Sequence, residues 1–401
     1  MSDVIEIERR FGADNYHPLP VVLQRGRGCH VWDTDGRQYL DMMSAYSAIS
    51  HGHAHPRLLA AMQEQAARLS VVSRAFYTDQ LAPFLEKACG MTGMDRALPM
   101  NTGVEAVETG IKAARKWAYE VKGVPPDTAE IIVCHGNFHG RTLAAIAMSS
   151  EHEYRHNFGP LPTGFRRVDY GDVRALEAAI GPSTAAFLVE PLQGEGGIIV
   201  PPQGYLAECA QICKHYNVLL LCDEIQTGLG RTGRLLACDH DGVKPDGLML
   251  GKALGGGLYP VSLFLSRHDV LERIKPGQHG STFGGNPLAA HIATEALTIL
   301  TDDDLIANAQ RMGTRLQTGL EKLNSKLIKD IRGRGLLIGV EFDPAKISAR
   351  QVCEKLMQYG ILTKETHETV VRLAPPLIID GDLIDWAIQR VGETLEELSK
   401  Q

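Results

Sequence analysis

Leu219-Leu220-Leu221-Cys222-Asp223-Glu224 carries an aliphatic run directly into two carboxylates. About thirty residues later, Asp246-Gly247-Leu248-Met249-Leu250-Gly251-Lys252-Ala253-Leu254-Gly255-Gly256-Gly257 carries a second apolar run into a lysine and then into glycines. Apolar runs that do not alternate with polar residues read as strands buried on both faces, the mark of a parallel sheet covered by helices. Ile131–Cys134, Ala186–Glu190 and Val261–Leu265 read the same way. Between them Val104, Val107, Ile111, Ala114 and Ala118 recur at helical spacing. Strand-like and helical stretches alternate from about residue 50 to 290, which predicts an α/β fold with a mostly parallel sheet flanked by helices.

Charges at the mouths of buried strands are costly unless paired or used. Lys252 can supply a nucleophilic amine. Asp223 can keep a pyridine nitrogen protonated. Together they are what a Schiff-base cofactor enzyme requires.

The 401 residues exceed one small domain and can bury a large core. Hydrophobic residues make up 44% and charged residues 22%, as in ordinary globular enzymes. A net charge of −7 gives no sign of a nucleic-acid or acidic-membrane partner. No apolar stretch approaches the ~18 residues of a membrane span. The opening Met1–Glu8 carries acids and no apolar core, unlike a signal or transit peptide. Eight scattered cysteines, several in apolar runs, point to reduced thiols and a cytoplasmic location. Cys209 and Cys213 stand at helical spacing, read as packing and not as a metal site.

Cys29–Asp41 reads as a hairpin turning at Asp35-Gly36. A long helix is expected from about Pro287 to Leu323, with a break near Asp302–Asp304. Beyond it, Leu336–Phe342, Ile361–Lys364 and Val370–Leu373 read as strands, Ala349–Gln358 and Asp382–Leu398 as helices. The expected division is a large cofactor domain over 51–290, a small C-terminal α/β domain over 291–401, and an N-terminal segment, 1–50, packing with the small one.

Asn101-Thr102-Gly103-Val104-Glu105-Ala106 opens a helix with small residues that expose backbone N–H groups to an anion, and also reads as an ordinary cap. Phe138 in His135–Thr142 can stack on a flat ring, and Arg141 can clamp a carboxylate; a plain turn is the alternative. Glu190 and Glu195 flank a glycine-rich loop with no histidine to make a metal site. His279–Pro287 is a small-residue loop whose hydroxyls suit a phosphate. His51, His53 and His55 alternate without nearby acids or cysteines, and read as structural or solvent-facing.

In this order these segments resemble the class III aminotransferases, a pyridoxal 5'-phosphate family of fold type I, over almost the whole chain. Leu221–Gly233 and the Leu250–Gly257 lysine segment carry the resemblance most specifically. Asn15–Val21, Ser44–Ala48, and Asn101–Ala106 followed by Ala114-Arg115-Lys116-Trp117 are similar to the branch that acts on free ornithine.

The resemblance implies roles. Lys252 matches the Schiff-base lysine, Asp223 the partner of the ring nitrogen, Gln226 the residue on the cofactor's phenolic oxygen and Phe138 the stacked ring. Gly103 and Val104 match the phosphate cup. Thr282 matches a hydroxyl reaching the other subunit's phosphate, implying a homodimer with shared sites. Tyr16 and Arg141 match holders of ornithine's α-carboxylate, with Tyr46 beside them. Glu195 and Arg372 match a pair that switches between substrates. His139 departs from a pattern in which tryptophan often follows the phenylalanine, which leaves the pocket wall open but not the chemistry. The implied reaction moves ornithine's δ-amine to 2-oxoglutarate, within proline and arginine metabolism. Alternatives are acetylornithine, succinylornithine or 4-aminobutyrate as donor, or a scaffold without chemistry. A P-loop or dinucleotide enzyme is disfavoured, because the glycines follow Lys252 instead of preceding it.

Overall fold

The computed structural model describes residues 2–400. In the N-terminal segment β1 (Leu23–Arg27), β2 (His30–Asp33) and β3 (Gln38–Asp41) form an antiparallel meander, with β2 and β3 joined across Asp35-Gly36 as expected. Asp33 fixes that turn: its Oδ1 accepts from the Asp35 and Arg37 N–H groups, and the Tyr39 hydroxyl donates to its Oδ2.

The next seven strands are β4 (Arg96–Met100), β5 (Glu130–Cys134), β6 (Phe165–Val168), β7 (Thr184–Val189), β8 (Leu219–Asp223), β9 (Gly247–Leu250) and β10 (Ser262–Ser266). They form one sheet in the order β4-β10-β9-β8-β7-β5-β6. Pairings from β6 through β9 are parallel, whereas β10 runs antiparallel to both its neighbours. The period-two alternation divides each strand between two cores. Ile131, Val133, Leu188, Leu219, Leu221, Met249 and Phe264 pack with the helix Gly103–Trp117. Ile132, Cys134, Phe187, Val189, Leu220, Cys222, Leu248 and Leu250 join the opposite core, which contains Cys209 and Cys213 of the helix Tyr205–His215. All eight cysteines are free thiols.

The expected long helix is two, Pro287–Asp302 and Leu305–Lys322, interrupted where Asp304 takes a left-handed φ of 52°. The remaining strands are β11 (Ile328–Arg334), β12 (Leu337–Phe342), β13 (Ile361–Leu362), β14 (Lys364–Thr366) and β15 (Val370–Leu373). β11-β12-β15-β14 make a third sheet, while β13 pairs in parallel with β3. The single strand expected over Ile361–Lys364 is therefore split. Thr363 lies where the chain crosses from one sheet to the other, its hydroxyl bonded to the Arg372 carbonyl. The helices Ala349–Gln358 and Gly381–Leu398 begin at the caps Ser348 and Asp380.

Arg231, completely buried, links distant parts of the chain. Its Nη1 donates to the Leu336 and Pro375 carbonyls and its Nη2 to the Ser50 hydroxyl. Next to Ser50, the buried His51 bonds through Nε2 to the Ala296 carbonyl. Its neighbour His53 bonds Asp41.

Burial pulls the His51 pKa down to about 4. The neutral ring therefore stabilises the fold fully above the unfolded value near 6.5, and that contribution is lost as pH falls toward 4. The size is roughly 3 kcal/mol. Urea unfolding at pH 7 and pH 4.5 should show a smaller acid loss of stability for His51→Gln than for the parent. Equal acid losses would contradict the assignment.

Candidate active site

Parallel register brings the two opening motifs together. Asp223 ends β8 opposite Met249 of β9, and Lys252 follows three residues later, at the start of a tight turn with a left-handed φ of 44°. Burial lowers the proton affinity of the Lys252 amine, an effect opposed in part by the charge of Glu195. A lysine so lowered is a better nucleophile. The ends of β8 and β9 meet the start of the helix Gly103–Trp117. A Cβ on Gly103 would lie 2.9 Å from Ile225 Cγ2, and one on Gly251 would lie 3.5 Å from Gly103 Cα. Glycine at both positions lets three backbones close on one point.

That helix starts in a reciprocal cap. Thr102 Oγ1 accepts from Glu105 N, and the Glu105 carboxylate accepts from the N–H groups of Thr102 at 2.7 Å and Asn101 at 3.0 Å. Among the described residues the first-turn N–H groups of Gly103 and Val104 have no such partner, and they lie at the positive end of the helix dipole. The ordinary cap read from the sequence is formed. A buried amine, a strand-end carboxylate, free helix N–H donors and the aromatic Phe138 make a donor set that fits pyridoxal 5'-phosphate.

Phe138 lies in the loop after β5, where its N–H donates to Glu190 Oε2 at 3.0 Å. The other oxygen of Glu190 accepts from Gly194 N at 3.2 Å. Burial pushes the Glu190 carboxyl up to about 7. Gly194 in turn abuts Gln226, whose Nε2 donates to the Tyr46 carbonyl at 3.3 Å and to Glu195 Oε1 at 3.2 Å.

Glu195 accepts from Arg372 Nη1 at 2.5 Å. Arg372 comes from β15 and is 1% exposed. Burial alone would raise the Glu195 pKa, but the charges of Arg372 and Lys252 outweigh it and hold the group lowered, hence ionised. The Tyr46 ring covers the same guanidinium at 5.0 Å. Tyr46 belongs to a run of four left-handed residues, Ser44–Ser47, with φ between 46° and 74°. Each such residue costs of order 1–2 kcal/mol. Asp41 holds the run by accepting from the Met43 and Ser44 N–H groups.

At the rim stand Tyr16 and Arg141, both exposed. Lys364 Nζ lies over the Tyr16 ring at 5.6 Å. The Arg141 guanidinium lies 3.5 Å from the Tyr154 ring centroid and 5.3 Å from that of Phe138. Tyr154 carries no sequence signal, because its short helix, His152–Arg155, has no motif. Thr282 is exposed and apart from the Lys252 cluster; the neighbouring Ser281 hydroxyl accepts from Asn101 Nδ2 at 2.8 Å. His139, where the sequence departs from the family pattern, is buried behind Asp223, at 2.8 Å from its carboxylate. Its place next to Phe138 was the available sign.

A Cβ on Gly194 would lie 1.6 Å from Gln226 Oε1. Gly194→Ala should therefore expel the Gln226 side chain and cost about 1–3 kcal/mol of stability. In a Gln226→Ala background the same substitution should cost much less. Denaturant unfolding of the four proteins measures this coupling, and equal costs in both backgrounds would refute the clash.

The model of the "Aminotransferase class-III" family matches residues 11–395. An ornithine aminotransferase of Bacillus subtilis is 52% identical over 394 residues, covering 98% of both chains. An ornithine aminotransferase structure from Toxoplasma gondii superposes with a TM-score of 0.98 at 47% identity, over 100% of this chain and 96% of that one. An acetylornithine aminotransferase structure from Elizabethkingia anophelis does so with a TM-score of 0.89 at 44% identity, over 99% of each. The chain belongs to the class III aminotransferases, pyridoxal-phosphate transaminases of fold type I.

Proposed function

We propose that this chain is an ornithine 5-aminotransferase. It moves the terminal amine of L-ornithine to 2-oxoglutarate, giving glutamate and glutamate-5-semialdehyde, which closes to pyrroline-5-carboxylate. The similarity to ornithine aminotransferases at 52% identity supports the substrate. The acetylornithine enzyme of comparable fold keeps acyl-ornithine as the alternative. The observation that carries the reading is the closed Glu195–Arg372 pair beneath Tyr46.

Pyridoxal phosphate, when bound, supplies an electron-withdrawing ring that stabilises charge on the carbon losing a proton. The protein's side chains do the rest. Gly103 and Val104 N–H groups would hold its phosphate, Phe138 its face, Gln226 its ring oxygen and Asp223 its ring nitrogen. Lys252 takes a proton from the carbon bearing the amine and returns it elsewhere. A free arginine beside this lysine would attract the α-carboxylate of any amino acid and present the wrong amine. With Arg372 neutralised by Glu195, the uncharged methylene end of ornithine approaches, and Tyr16 and Arg141 hold the distant α-carboxylate. When 2-oxoglutarate binds, Glu195 swings away, Arg372 takes the carboxylate beside the oxo group, and Arg141 takes the far one.

A homodimer completes the site, with Thr282 reaching the neighbour's phosphate. Its support is the exposed apolar side chains of Leu69, Val71, Phe76 and Tyr77, tied by the Ser70 carbonyl to Leu288 and flanked by exposed Phe283. The large unit spans 51–290 and the small one 291–401, with 1–50 on the small one through the β3–β13 pairing. Free cysteines support a cytoplasmic setting. Among the described residues no helix is long and apolar enough to cross a membrane.

Glu195→Gln removes the charge that masks Arg372. It should lower ornithine kcat/KM by about tenfold or more while glutamate kcat/KM holds or rises; parallel losses for both donors would overturn the switch. Tyr16→Phe removes one hydrogen bond to a charged group, worth roughly 1.5–3 kcal/mol. Ornithine kcat/KM should fall about tenfold to a hundredfold, with the glutamate half-reaction less affected. Equal losses in both halves would remove Tyr16 from its role.

A further inference from the structure

His139 is the buried ionisable group that the proposed reaction leaves without a task. Its Nδ1 lies 2.8 Å from Asp223 Oδ2. Its Nε2 is buried with no partner among the described residues. The other oxygen of Asp223 accepts from Ile225 N at 3.1 Å. His139 follows β5, Glu190 follows β7 and Asp223 ends β8, so three neighbouring strand ends bring two carboxylates and one imidazole into one buried cluster.

Ionised carboxylates are unstable in such surroundings unless a donor or an opposite charge compensates. Glu190 faces the same imidazole from β7, and its carboxyl is pushed up to about 7, mainly by burial and further by the charge of Asp223. Lys252 adds positive charge from the end of β9. Burial, the largest single influence, disfavours a protonated His139, but the hydrogen bond and charge of Asp223 together with the charge of Glu190 outweigh it and hold the imidazole pKa above its usual range.

We propose that His139 is a positioning residue whose Nδ1–H holds the Asp223 carboxylate aimed at the ring nitrogen of the cofactor. The proposal rests on the assignment of Asp223 above. It gives one short loop two tasks at one ring: Phe138 lies against its face, and His139 fixes the acid at its edge. It also explains a histidine that reaches no substrate.

The test uses pyridoxal 5'-phosphate and its 1-deaza analogue, in which a C–H replaces the ring nitrogen. Each is titrated into the apoprotein and followed by tryptophan fluorescence. The parent should prefer the natural cofactor. His139→Leu should weaken that binding by about tenfold or more and leave the analogue within about threefold. His139→Asn, which places an amide N–H where Nδ1 stands, should stay within about threefold of the parent for both probes. His139→Met offers the same comparison if the leucine variant does not fold. A packing role predicts the reverse ranking, with leucine tolerated better than asparagine. That ranking, or apolar variants that discriminate the probes as the parent does, overturns the proposal while leaving Asp223 in place. A parent that binds both probes equally removes Asp223 from the ring nitrogen, and the proposal with it.

Discussion

The register of β8 against β9 is the constraint on which the rest depends. It puts a carboxylate and an amine at the ends of adjacent parallel strands, the carboxylate buried and the lysine half-buried. Neither could remain there alone, since an isolated buried charge costs several kcal/mol. The surrounding polar groups follow from that. His139 answers Asp223, and Glu195 opposes the loss of charge on Lys252. The helix at Gly103 brings its positive end to the same point.

The groups proposed to face substrate come from three sheets. Tyr46 follows β3, Glu195 follows β7, and Arg372 lies on β15. A pair bridging separate sheets can open without breaking the strands that hold it. Glu195 is half-buried, whereas Arg372 is buried in the β12–β15 ladder, so in the proposed switch the acid is the member that moves. The left-handed run at Ser44–Ser47 shows what this arrangement costs in backbone strain, a cost met by Asp41, His53 and Gln226.

Much of this was legible in the residues. The central strands announce themselves as continuous apolar runs, because both faces are buried. β4, β6 and β11 do not, and each lies at the edge of its sheet. There Pro99, the pair Arg166–Arg167, and Lys329, Asp330 and Arg332 are tolerated, which erases the apolar signal. The reversal of β10 left no trace, since Ser262–Ser266 is as buried as the parallel strands β7, β8 and β9. Asp223 and Lys252 could be read from charge at a strand end. The Glu195–Arg372 pair, 177 positions apart, rested on resemblance. His139 and Tyr154 needed coordinates, because their partners lie far away in sequence or carry no motif.

The central claim is that a masked Arg372 makes the terminal amine of free ornithine the one transferred. Product identity after incubation with ornithine, 2-oxoglutarate and pyridoxal phosphate tests it most directly. The two cyclic imines, from terminal and from α-transamination, are separated chromatographically after trapping with an aromatic amine. The account predicts pyrroline-5-carboxylate, the terminal product, with equimolar glutamate. The α-isomer as main product, or turnover confined to acylated ornithine, would contradict it.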